Sequence, residues 1–184
     1  TQYTCPIGSY CPIGSVNTTI CPRGAYCPAS AEANYTLSPI GSFCNATGLS
    51  AFYLCTAGSF CATTGLSAPT GNCSAGYYCE TGSSTATQYL CMNTTYCPTG
   101  SYETTVCPVF GYCASNGMAN YTLCTSGYYC NVTGLSAVSG SCSAGYYCPL
   151  GSKTPTPTGF LCPSGSYCPS NSTWPLVCPA GTYS

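Results

Sequence analysis

The chain has 184 residues, of which 20 are cysteine and five are charged, with no histidine and a formal net charge of −1. That cysteine density marks a disulfide scaffold from an oxidising compartment: secretory lumen, cell surface or exterior. Arg23 and Lys153 are the only cations, too few to neutralise a nucleic-acid backbone or to dock on an anionic membrane surface.

The chain opens on Cys5-Pro-Ile-Gly-Ser-Tyr-Cys11, and this seven-residue motif returns at Cys21, Cys55, Cys73, Cys91, Cys107, Cys124, Cys142 and Cys162. Two further copies each carry a serine in place of a cysteine: Ser38 through Cys44, and Cys178 through Ser184. The eleven copies begin 16 to 20 residues apart. So short a period predicts a small disulfide-rich repeat array, an elongated rod of about eleven ~17-residue units. Proline followed two residues later by glycine is turn chemistry, because proline presets one backbone angle and glycine supplies a positive one. The fourth motif slot is glycine in nine copies, the departures being Thr94 and Phe110. The sixth slot is always aromatic: Tyr10, Tyr26, Phe43, Phe60, Tyr78, Tyr96, Tyr112, Tyr129, Tyr147, Tyr167 and Tyr183. These rings are expected to cover sulfur or to meet the next repeat, supplying apolar area that a unit this small lacks.

The spacers between motifs vary more. Gly-Leu-Ser-Ala occurs at residues 48–51, 65–68 and 134–137, and Cys55–Ser83 aligns without gaps on Cys124–Ser152. The longest spacer, Pro149–Leu161, contains Pro155-Thr-Pro-Thr, a stiff extended segment. A cysteine, proline or glycine interrupts every window in which helical periodicity could develop. Turns and short strands, such as Gly76–Cys79 and Gly127–Cys130, are therefore expected, without helices or an internal domain boundary. Both ends fall inside the repeat pattern, so the chain is expected to be part of a longer product.

Asn17, Asn34, Asn45, Asn93, Asn120, Asn131 and Asn171 each begin an Asn-x-Thr sequon. Asn72 begins Asn-Cys-Ser and is set aside, because its neighbour is a cysteine expected in a bond. Covalent N-glycans at the seven sites would keep an almost uncharged surface in water. No apolar run reaches the roughly 18 residues of a membrane span, so no membrane insertion is expected.

Two local disulfide schemes fit the spacing, each with nine bonds. Every Cys-x5-Cys could close on itself, leaving Cys44 and Cys178 over. Alternatively the second cysteine of one motif could join the first of the next, leaving Cys5 and Cys27 over. The phrases Cys97-Pro-Thr-Gly-Ser-Tyr and Cys178-Pro-Ala-Gly-Thr-Tyr resemble the Cys-Pro-x-Gly-Thr-Tyr units of ephrin-receptor-like cysteine-rich repeats. They are also similar to the first sub-module of tumour-necrosis-factor receptor repeats. Long arrays of this kind occur in secreted and surface proteins of single-celled eukaryotes. In those families the opening cysteine bonds to one about a dozen residues later. The resemblance therefore implies Cys11–Cys21, Cys44–Cys55, Cys61–Cys73, Cys79–Cys91, Cys97–Cys107, Cys113–Cys124, Cys130–Cys142, Cys148–Cys162 and Cys168–Cys178. Under either scheme the bonds replace a core that a unit this short cannot build.

Catalysis needs an acid, a base or a poised nucleophile. Histidine is absent, the glutamates Glu32, Glu80 and Glu103 sit in different repeats, and the cysteines are committed to bonds. The chain is thus expected to be no enzyme, without a metal or cofactor. The expected role is that of an extracellular structural glycoprotein, self-associating into a fibre, filament, wall or surface coat. The alternative is the stalk of an adhesive or receptor-like protein whose binding head lies elsewhere. Ice binding would need threonines in one register, which the uneven spacers do not keep.

Overall fold

The structure, a computed structural model, describes residues 4–182. Its contacts group the chain into two compact units. One is Thr1–Leu90 with Pro98–Glu103, and the other is Cys91–Cys97 with Thr104–Ser184.

The described residues contain no helix, as the interrupted periodicity predicts. In the first unit, two-residue antiparallel pairs join Ser9–Tyr10 to Thr19–Ile20, Ala25–Tyr26 to Thr36–Leu37, and Ser42–Phe43 to Tyr53–Leu54. Ser59–Phe60 pairs with Gly71–Asn72, and Tyr77–Tyr78 with Tyr89–Leu90. The second unit pairs Thr95–Tyr96 with Thr105–Val106, Gly111–Tyr112 with Thr122–Leu123, Tyr128–Tyr129 with Gly140–Ser141, and Ser166–Tyr167 with Leu176–Val177. A single bridge, Tyr146 to Leu161, stands where the longest spacer returns. Each hairpin thus runs from motif slots five and six to the two residues before the next motif.

The turn chemistry explains this geometry. The slot-five amide donates to the slot-two carbonyl, as from Ser9 to Pro6 at 3.1 Å and from Ser166 to Pro163 at 3.0 Å. Slot four between them takes a positive φ, +80° at Gly8 and +84° at Gly24. That is a type II turn, and it folds the motif back on itself.

Folding back decides the disulfides, and the pairing implied by the family resemblance is not the one found. Each motif closes on itself: Cys5–Cys11, Cys21–Cys27, Cys55–Cys61, Cys73–Cys79, Cys91–Cys97, Cys107–Cys113, Cys124–Cys130, Cys142–Cys148 and Cys162–Cys168. The turn brings each pair of Cα atoms to 5.8–6.2 Å, inside the span a disulfide bridges. Cys5 and Cys27, expected without partners in this fragment, are bonded, whereas Cys44 and Cys178 are free. The two free thiols sit in the two motifs that carry a serine. Apart from Ala25, every buried apolar residue among those described is a cysteine, so sulfur forms the core.

Repeats join through a fixed set of backbone hydrogen bonds. In the first unit, Gly24 N donates to Cys44 O at 3.0 Å, and Ser38 N returns a bond to Gly24 O at 2.9 Å. Cys27 N donates to Leu49 O, and Gly48 N donates to Cys21 O. The same four bonds recur in the second unit around Gly127: to Cys148 O, from Cys142 N, from Cys130 N to Ser152 O, and from Gly151 N to Cys124 O. Each repeat therefore satisfies its backbone on its neighbour, which is what a unit too small to fold alone requires.

Candidate functional site

The interfaces between repeats are built from the motif outward. Of the slot-six aromatics, Tyr10, Tyr26, Phe43, Phe60, Tyr78, Tyr96, Tyr112, Tyr129 and Tyr147 are half-buried, while Tyr167 is exposed at 44 % and Tyr183 lies outside the described residues. Several meet an aromatic from a spacer. Tyr10 packs edge-on against Tyr35 at 5.3 Å, Tyr26 against Phe52 at 5.4 Å, and Tyr96 against Tyr121 at 5.5 Å. Phe43 meets Tyr53, Tyr78 stacks on Tyr89, and Tyr147 meets Phe160. Where the opposing strand offers glycine, the ring lies over it: Phe60 over Gly71, and Tyr129 over Gly140. Tyr10, Tyr26 and Tyr96 thus reach into the spacer of the next repeat, whereas Phe43, Phe60, Tyr78, Tyr129 and Tyr147 cover the returning strand or spacer of their own repeat.

A further slot was not read from the sequence, although a signal for it was present. Ala31, Gly48, Gly65, Gly82 and Gly100 in the first unit, and Gly117, Gly134, Gly151 and Asn171 in the second, all hold a positive φ. Each donates its amide to the first residue of an earlier motif, such as Gly65 N to Ser38 O and Gly134 N to Cys107 O. In two repeats this slot belongs to a second Pro-x-Gly-Ser turn. In Pro149-Leu-Gly-Ser152 and Pro98-Thr-Gly-Ser101, the serine donates both its amide and its hydroxyl to the proline carbonyl. The side chain just before a motif then lies against the glycine 28 residues on: Ile20 by Gly48, Leu37 by Gly65, Leu54 by Gly82, Val106 by Gly134 and Leu123 by Gly151. All five of these side chains remain exposed on their outer side, Ile20 at 62 %.

Outside this framework the surface is polar and almost uncharged. All seven Asn-x-Thr asparagines (Asn17, Asn34, Asn45, Asn93, Asn120, Asn131 and Asn171) are exposed, and so is Asn72. Oδ1 of Asn34 and of Asn120 accepts the amide of the following residue at 2.9 Å, which leaves that contact on the oxygen and not on the Nδ2 that an N-glycan joins. Lys153 Nζ sits 5.2 Å from the centre of the Phe110 ring, a cation–π contact. Among the described residues, no three His, Cys, Asp or Glu side chains converge on a metal-sized site. Nor, among the described residues, is any helix long and apolar enough to cross a membrane. An open groove of about 450 Å³ beside Cys162 and Tyr167, and one of about 400 Å³ beside Pro149 and Phe160, are concavities of the second unit; neither gathers an acid–base pair.

The free thiols differ in setting. Cys44 is fully buried, and burial pushes its thiol pKa up, so it stays protonated and unreactive. Ser38, opposite it in the motif, is buried as well, and its hydroxyl donates weakly to Leu66 O at 3.4 Å. Cys178 is half-buried.

No protein-family model matches the chain, and comparison with curated proteins returns no match. The likeness to ephrin-receptor-like repeats therefore rests on the quoted phrases alone.

Proposed function

We propose that this chain is extracellular building material: a glycosylated structural array that assembles into a fibre, a filament or a wall or surface coat. The observation that carries this reading is the register of the repeats. The same four backbone bonds recur at junctions along each unit over a core of cysteine, and among the described residues no three His, Cys, Asp or Glu side chains depart from that pattern to converge on one site. A recognition module concentrates chemistry in one place, whereas a structural element distributes it evenly. Nine disulfides favour an oxidising exterior, and exposed sequons favour a hydrated coat of N-glycans over a surface with five charges. The rows of exposed aliphatic side chains give neighbouring chains an uncharged face on which to associate.

Electron microscopy of the native material tests this reading. Extended, laterally or end-to-end associated particles are expected. Isolated globular particles would contradict it, and single stalks ending in a distinct head would establish the stalk reading in its place.

A further inference from the structure

The longest spacer presents a second kind of modification site. In Thr154-Pro-Thr-Pro-Thr158 the side chains alternate. Thr154, Thr156 and Thr158 are exposed, whereas Pro155 and Pro157 are half-buried. The backbone of this stretch is pinned from within. Ser143 N donates to Pro155 O at 2.9 Å, and the Cys142 sulfur lies 3.5 Å from the same oxygen. The Cys148 sulfur lies 3.8 Å from Thr154 O. Phe160 N closes a turn on Pro157 O at 3.2 Å, and the Phe160 ring meets Tyr147 edge-on at 5.3 Å. At the other end, Lys153 is held over Phe110.

We infer that Thr154, Thr156 and Thr158 are acceptors for O-linked sugars. A threonine segment with proline at alternate positions, held in bends and a closing turn, displays its hydroxyls without a helix or ladder to compete for them, and this composition is that of O-glycosylated stalks. In the reaction, the threonine Oγ1 bonds to the anomeric carbon of a sugar carried on a nucleoside diphosphate or lipid phosphate. The bond from that carbon to the phosphate breaks, the phosphate leaves as an anion, and the hydroxyl proton passes to the base of the transferase. The inference rests on the extracellular reading above, because the chain must traverse the secretory route to meet such an enzyme.

The protein contains its own control. Sixty-nine residues earlier, Ser84-Thr85-Ala86-Thr87 takes the same pose, with Ser74 N on Ala86 O at 2.8 Å and the Cys73 sulfur 3.2 Å from that oxygen. There the prolines are replaced by Ala86 and Gln88, and Thr85 Oγ1 donates to Gln88 Oε1 at 3.3 Å. Glycopeptide mass spectrometry with electron-transfer fragmentation, on native chain freed enzymatically of N-glycans, reads both segments at once. Sugar increments on Thr154, Thr156 and Thr158, with Thr85 and Thr87 modified at a several-fold lower fraction, are expected. In a recombinant secreted chain, Pro155→Ala with Pro157→Ala should cut occupancy several-fold while the sequons keep theirs. Bare threonines at 154–158 overturn the inference. If the sequon peptides of the same digest carry the mark of a released glycan, the extracellular reading survives; if they too are bare, both fail. A phosphate in place of sugar on these threonines also overturns the inference, and the sequon peptides again decide the extracellular reading.

Discussion

Gly24→Ala probes the repeat junction at its tightest point. Gly24 holds φ at +84°, where an L residue carries strain of about 1–3 kcal/mol. An added Cβ would also overlap the backbone oxygen of Gly65, which has no rotamer by which to move aside. The chain must therefore shift, and it does so across the bonds Gly24 N to Cys44 O at 3.0 Å and Ser38 N to Gly24 O at 2.9 Å. Weakening both adds about 1 kcal/mol or more, so the local cost is about 3 kcal/mol. Native-state hydrogen exchange read peptide by peptide suits an array, since a global midpoint would average over repeats. The Ser38 amide and its neighbours should exchange on the order of 100-fold faster, with amides around Gly145 unchanged. The counterpart is Thr94→Gly, because Thr94 holds φ at +75° with a side chain. Relief of its strain should slow exchange around it by several-fold. Equal protection in Gly24→Ala and parent would show that neither angle nor space demands glycine here.

Two other changes read different parts of the framework. Ser38→Cys restores the missing first thiol of the third motif. The new sulfur should bond to Cys44 in a loop worth about 2 kcal/mol, detected as the loss of the Cys44 thiol in denaturant and a rise in thermal stability, whereas a bond from residue 38 to Cys27 would support the pairing between motifs. Tyr129→Ala uncovers Gly140 and should loosen its hairpin by about 1 kcal/mol or more, measured as faster exchange of the Cys142 amide; no change would show that the ring does not hold the hairpin.

Much of the fold was legible because one short phrase carries it. Cys-Pro-x-Gly-Ser-Tyr-Cys encodes the turn, the buried pair and the covering ring within seven residues, so strands at 77–78 and 128–129 fall inside the segments expected. Connectivity was not legible. Both schemes use nine bonds, and the family resemblance pointed to the wrong one. The deciding quantity is the reversal at slot four, which leaves Cys21 closer in chain and space to Cys27 than a reading by motif likeness implies. The second turn was written plainly, as Pro149-Leu-Gly-Ser152 beside Pro163-Ser-Gly-Ser166, but it fell in spacers that vary by a residue or two. Junction contacts 28 residues apart, such as Leu37 to Gly65, cross more than one spacer, and no local pattern announces them. At the surface the sequons were readable and their asparagines prove exposed, while the threonine row at 154–158 gained meaning only when its prolines were found turned inward.

Each motif closes on its own sulfur and stacks on its neighbour as a finished unit. Alkylation of the unreduced native chain in denaturant at mildly acidic pH, followed by peptide mapping, tests it most directly, because denaturant exposes the buried thiol and acid suppresses exchange. Label is expected at Cys44 and Cys178 and at no other cysteine. Label at Cys27, with Cys44 and Cys178 protected, would contradict it.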